Sequence, residues 1–80
     1  MTSAFVQLVN TTNPRFTYMI DWKGQLHYKL NCSAYFDTIT GYLYTSTVQQ
    51  IDITDFTITL TTLNSVYTFS IITEEEARRL

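Results

Sequence analysis

Residues 56–71 read Phe-Thr-Ile-Thr-Leu-Thr-Thr-Leu-Asn-Ser-Val-Tyr-Thr-Phe-Ser-Ile. Two alternating runs of apolar and polar residues flank an Asn-Ser pair, and a period of two places each run's apolar side chains on one face of a strand. This pattern admits a β-hairpin with one dry face and excludes an amphipathic helix, whose period is about 3.6 residues. A two-residue Asn64-Ser65 turn puts Leu60 opposite Phe69 and Ile58 opposite Ile71 on the dry side, with Thr61 opposite Thr68 and Thr59 opposite Ser70 on the wet side.

The rest of the chain extends the β reading. Fifteen threonines, six tyrosines and five phenylalanines stand against three alanines, and branched and aromatic side chains fit a pleated, half-buried surface. Ala4 to Val9 forms a first strand, closed by turn formers at Asn10-Thr11-Thr12-Asn13-Pro14. Phe16, Tyr18, Ile20 and Trp22 alternate along a second strand, and Leu26, Tyr28, Leu30 and Cys32 along a third. A three-residue loop around Gly24 pairs those two faces and sets His27 opposite Asp21. Asn31 to Gly41 holds a connection, and Tyr42 to Ile53 a strand whose apolar phase changes, which predicts a bulge or break between Ser46 and Gln50. A Thr54-Asp55 turn then sets Ile53 against Phe56 and Ile51 against Ile58. Thr73-Glu74-Glu75-Glu76 has the form of a capping box opening a short helix, with Glu74–Arg78 and Glu75–Arg79 spaced for ion pairs. So few helical residues need Ala77 and Leu80 packed on something to persist. The expected fold is mainly β: residues 1–80 as a single small domain, an antiparallel, curled or barrel-like sheet of five to six strands with a short C-terminal helix.

Composition narrows function more than it defines it. A chain of 80 residues leaves much of its surface wet, so function belongs on a face, a shallow groove or an edge. Net charge is −2 and the five basic residues are scattered, so duplex nucleic acid lacks the basic patch that counterion release requires. One cysteine, Cys32, permits neither an internal disulfide nor a cysteine zinc site, and reads as a small buried apolar residue. One histidine, His27, offers a general base only if a nucleophile stands beside it, and no residue pattern supplies one. With two glycines there is no phosphate-binding loop, so neither a cofactor nor an enzyme is expected. No basic-then-apolar leader and no apolar run near the roughly 18 residues of a membrane span are present, which points to a soluble cytoplasmic protein without a membrane partner.

The aromatics are the residues left to carry a function. Trp22, Tyr18 and Tyr28 read as core. Tyr42 and Tyr44 share a parity opposite to Leu43, so a buried Leu43 exposes both, and an exposed tyrosine pair on a strand is the expected binding site. The segment Thr45-Ser46-Thr47-Val48, then Ile51, then Thr62-Leu63-Asn64-Ser65-Val66-Tyr67-Thr68-Phe69 resembles a Thr-Ser-x-Val … Thr-x-Asn-Ser-x-Tyr-x-Phe pattern of small β proteins carried by phages and prophages. That resemblance implies a compact accessory protein acting by stoichiometric binding to a host protein, in the host cytoplasm, including inhibition of a defence enzyme. A structural subunit forming a homo-oligomer through an exposed strand edge is the first alternative, and single-stranded nucleic-acid binding the second.

Overall fold

Six antiparallel strands follow one another around a closed ring, the last pairing with the first. The structure, a computed structural model, describes residues 2–79. The strands are β1 (Thr2–Thr11), β2 (Lys23–Tyr28), β3 (Ser33–Thr38), β4 (Tyr42–Ile53), β5 (Thr57–Thr62) and β6 (Val66–Ile71). A 3-10 turn at Pro14–Met19 joins β1 to β2, and a short helix, α1 (Glu74–Ala77), follows β6. The mainly β, barrel-like expectation is correct, at its upper strand count.

The two long strands turn the corners. β1 pairs with β2 through residues 2–7 and with β6 through residues 6–11. Likewise β4 pairs with β3 through residues 42–47 and with β5 through residues 48–53. Both carry bulges where they change partner, at Leu8–Asn10 in β1, and in β4 between Tyr44 and Thr47 and again between Val48 and Gln50. A bulge bends and twists its strand, which is how one strand can belong to two walls of a small barrel. The apolar phase change near residues 46–50 marks these β4 bulges. At the first of them, buried Thr45 accepts a hydrogen bond from the Ala34 amide (2.9 Å) and donates to the Ser46 carbonyl (2.7 Å), replacing ladder bonds the bulge removes.

Inside lies one continuous apolar cluster. Val6, Leu8, Leu26, Phe36, Leu43, Val48, Ile58, Leu60, Tyr67 and Phe69 point into it from the six strands, and Met19 of the 3-10 turn joins them. Phe36 and Phe69 meet edge to face across the interior, with centroids 5.2 Å apart. Each such side chain contributes about 1.5–3 kcal/mol when withdrawn from water. Tyr67 brings a hydroxyl into this interior, and Asn13 Nδ2 donates to it at 3.1 Å. The Asn13 Oδ1 in turn accepts from the Arg15 amide at 3.0 Å, so one side chain satisfies the buried phenol and caps the 3-10 turn.

Three expected local structures are replaced. Residues 16–22 are not a strand: Pro14 fixes φ at the start of a 3-10 turn, Met19 alone in that turn is fully buried, and Tyr18 lies 63% exposed. Trp22 is half-buried against the core, whereas Tyr28 is buried as expected. Gly24 sits inside β2 rather than in a loop, paired with Val6 on one side and Thr38 on the other. A Cβ there would lie 2.1 Å from the Asp37 carbonyl oxygen, so only glycine lets β2 and β3 approach so closely. His27 consequently pairs with Ser3 and Tyr35, not with Asp21, which takes a left-handed φ of 78° before β2.

Residues 31–41 are not merely a connection, because β3 runs through them with Ala34 and Phe36 inward. Asn31, at φ 68°, supplies the reversal before it. Cys32 is half-buried rather than buried. Both later hairpins keep their alternation but pair two residues further along, with Ile53 opposite Ile58, Ile51 opposite Leu60, Leu60 opposite Tyr67 and Ile58 opposite Phe69, and Ile53, Phe56 and Ile71, expected on the dry side, are exposed at the strand ends and turn. Threonine hydroxyls hold these longer turns. Thr54 Oγ1 accepts from the Phe56 and Thr57 amides (3.2 and 3.0 Å), while Thr62 Oγ1 accepts from the Ser65 amide (3.1 Å) and donates to the Ser65 carbonyl (3.0 Å). A tight Asn64-Ser65 hairpin turn requires positive φ at both central residues, and among the described non-glycine residues only Asp21 and Asn31 have it.

At the C-terminus the capping box forms as expected. Thr73 Oγ1 accepts from the Glu76 amide at 3.1 Å, and Glu76 Oε1 accepts from the Thr73 amide at 3.2 Å. Arg78 meets Glu74 at 2.9 Å, and Arg79 pairs with Glu75. Ala77 is buried, with α1 packed on β1 and β2, while Leu80 lies outside the described residues.

Candidate interaction face

Alternation that sends Leu26, Phe36 and Leu43 inward sends His27, Tyr35, Tyr42 and Tyr44 outward on three neighbouring strands. Register then brings them together, because His27 of β2 lies opposite Tyr35 of β3, and Tyr35 lies opposite Tyr44 of β4. Tyr35 and Tyr44 stack with centroids 4.7 Å apart and planes 30° from parallel. His27 stacks on the other side of Tyr35 at 5.9 Å, and Tyr42 meets both tyrosines at 5.8 and 5.7 Å. Four rings thus form one continuous layer across the outside of the barrel.

Leu43 is 1% exposed, and the tyrosines flanking it, Tyr42 and Tyr44, are 60% and 61% exposed. The parity argument therefore places both side chains in solvent, where the described residues leave more than half of each uncovered. Sequence reasoning missed the other half of the layer. The sequence reading sets His27 in a hairpin with Asp21 and Tyr35 in a connection, whereas the alternation Ser33-Ala34-Tyr35-Phe36-Asp37 is the signal that points to β3.

Charge is arranged asymmetrically around the rings. Asp37 of β3 stands opposite Tyr42 of β4 and opposite Gln25 of β2. Partial burial among its neighbours, and secondly the Asp37 carboxylate, hold the Tyr35 hydroxyl above the ordinary tyrosine range, so the central ring is neutral across the physiological range. On the other flank a groove of about 510 Å³ opens between the 3-10 turn and the start of β4, with Arg15, Asn13 and Asn64 along it and Leu43 and Tyr67 beneath. A second groove, of about 430 Å³, runs beside α1 past Trp22, Asp21 and Lys23.

His27 makes no side-chain hydrogen bond to Ser3 or Asp21 among the described residues, and its ring lies against Tyr35. No group of three or more His, Cys, Asp or Glu stands close enough to hold a metal ion among the described residues, and no helix there is long and apolar enough to cross a membrane. Fold and face together define a small closed antiparallel barrel with one bare aromatic wall. No protein-family model, curated protein or solved structure matches the chain.

Proposed function

We propose that this protein is a non-catalytic binding module whose aromatic wall, centred on Tyr42 and Tyr44, docks on another protein. Its sharpest form is a phage-encoded inhibitor that acts in the host cytoplasm and occludes a functional surface of a host protein such as a defence enzyme. The observation that carries the reading is the connected layer of four rings, His27 and Tyr44 stacked on Tyr35 and Tyr42 meeting both tyrosines at an angle, with two tyrosines more than half exposed. Contacts within the layer already fix the side-chain positions, so a partner that covers them loses little rotamer freedom in doing so. Tyrosine anchors of this kind dominate binding energy in protein interfaces, each worth 2 kcal/mol or more, as an order of magnitude, when truncated. The resemblance to small phage β proteins supports the choice of a host partner.

Affinity capture from host lysate with the tagged full chain tests this, using Tyr42→Ala/Tyr44→Ala as the control. The expected result is one stoichiometric partner lost with the double variant, whose melting transition stays cooperative. Full retention by a folded double variant overturns the assignment. Stacked rings also suit single-stranded nucleic acid, and a salt-sensitive oligonucleotide complex that persists without any captured protein favours that reading instead.

A further inference from the structure

We infer, on the basis of the protein-binding reading above, that the partner presents an acidic segment, and that its carboxylate side chain enters the groove beside Tyr42 and Tyr44 to meet Arg15. Arg15 is the one charged residue along that groove, and no Asp or Glu lines it. Among the described residues the ion pairs are Arg78–Glu74 and Arg79–Glu75, so Arg15 has no carboxylate of its own, in a chain whose net charge is −2.

Its position is held. The Arg15 amide donates to Asn13 Oδ1, and Asn13 is tied to the hydroxyl of buried Tyr67. The guanidinium is therefore mobile only through its own side chain, and its planar fork matches a carboxylate with two parallel hydrogen bonds. Asn64, which also lines the groove, makes no side-chain hydrogen bond among the described residues, and its amide is free to donate to a carboxylate there. Tyr42 and Tyr44 form the apolar side of the groove, which at about 510 Å³ has room for the residues flanking the acid. Covering the rings removes water from the ion pair and strengthens it. A nucleic-acid strand fits less well, because a chain of net negative charge with scattered basic residues repels a polyanion but tolerates one carboxylate beside one arginine.

Titration of the isotope-labelled full chain with three capped peptides, Phe-Asp-Leu, Phe-Asn-Leu and Phe-Lys-Leu, followed by NMR, tests the assignment. The aspartate peptide is expected to shift the amide signals of Arg15, Tyr42, Tyr44 and Asn64, and to bind about tenfold more tightly than the lysine peptide. Arg15→Gln, on an exposed side chain, is expected to leave the spectrum dispersed and to erase that preference. Equal binding of the three peptides overturns the inference, as do shifts confined to another surface, no shifts at all, or tighter binding of a tetrathymidylate probe at the same residues. Capture of a host protein that depends on Tyr42 and Tyr44 but not on Arg15 removes this inference while leaving the protein-binding reading intact.

Discussion

Two walls of the barrel answer the same geometry with opposite chemistry. On β5, β6 and the end of β4 the outward residues are Thr57, Thr59, Thr61, Val66, Thr68, Ser70, Gln50 and Asp52, all but one of them polar, and they pair Thr59 with Thr68, Thr57 with Ser70 and Gln50 with Thr61. On β2, β3 and the start of β4 the outward residues include His27, Tyr35, Tyr42 and Tyr44. Both walls cover the same core through the same alternation. Short branched side chains on the first wall are half-buried by their neighbours and satisfy the sheet's own preference. Ring side chains on the second stack on each other and still leave Tyr42 and Tyr44 largely in water. One wall serves the sheet; the other extends beyond it.

If that contrast holds, substitutions beneath both walls act on stability, and outward ones act on stability or binding according to the wall. Phe36→Ala empties the centre under the aromatic wall, where the ring meets Phe69, and is expected to cost about 3–5 kcal/mol in urea unfolding. Gly24→Ala places a methyl against the Asp37 carbonyl at the β2–β3 seam and is expected to cost about 2–3 kcal/mol, with displaced His27 and Tyr35 resonances in NMR spectra. A smaller loss from Gly24→Ala than from Thr59→Ala would break the account of how the aromatic strands are brought together.

Converting one wall into the other sharpens the comparison. Tyr42→Thr/Tyr44→Thr keeps strand propensity, so its unfolding free energy is expected to change by about 1 kcal/mol or less while partner capture is lost. Thr59→Ala/Thr68→Ala is expected to do the reverse, losing about 0.2–1 kcal/mol of stability with capture unchanged. The smallest effect lies outside both walls. Thr73's amide and hydroxyl hold the Glu76 carboxyl below its ordinary value, so the cap is strongest where Glu76 is ionised in the unfolded chain as well, above about pH 4.3. Its contribution is then lost as pH falls through the lowered folded value. Acid titration of the Thr73 and Ala77 amide shifts checks this, and Glu76→Gln is expected to flatten the curve.

Legibility in the sequence follows the same division. Thr-rich β5 and β6 could be read outright, including their wet and dry faces, because strict alternation survives a two-residue register shift unchanged. The phase change in β4 announced its bulges for the same reason. Residues 14–22 could not be read, since Phe16, Tyr18, Ile20 and Trp22 alternate by accident while Pro14 and the bond from Asn13 to Tyr67 impose a 3-10 turn. That misreading displaced His27 and concealed β3, whose Ser, Ala and Asp residues carry weak strand preference. Half the aromatic layer was thus visible as a pair in β4; the other half depended on which strand lies next to which, a long-range fact that no local period encodes.

Hydroxyl-radical footprinting of the full chain, free and in complex with the captured partner, puts the division between the walls to its most direct test. The account predicts that Tyr35, Tyr42 and Tyr44 lose oxidation in the complex, while Phe56 and Ile71 on the far turn and strand end oxidise equally in both samples. Undiminished oxidation of Tyr42 and Tyr44, with protection at Phe56 and Ile71 instead, would contradict it.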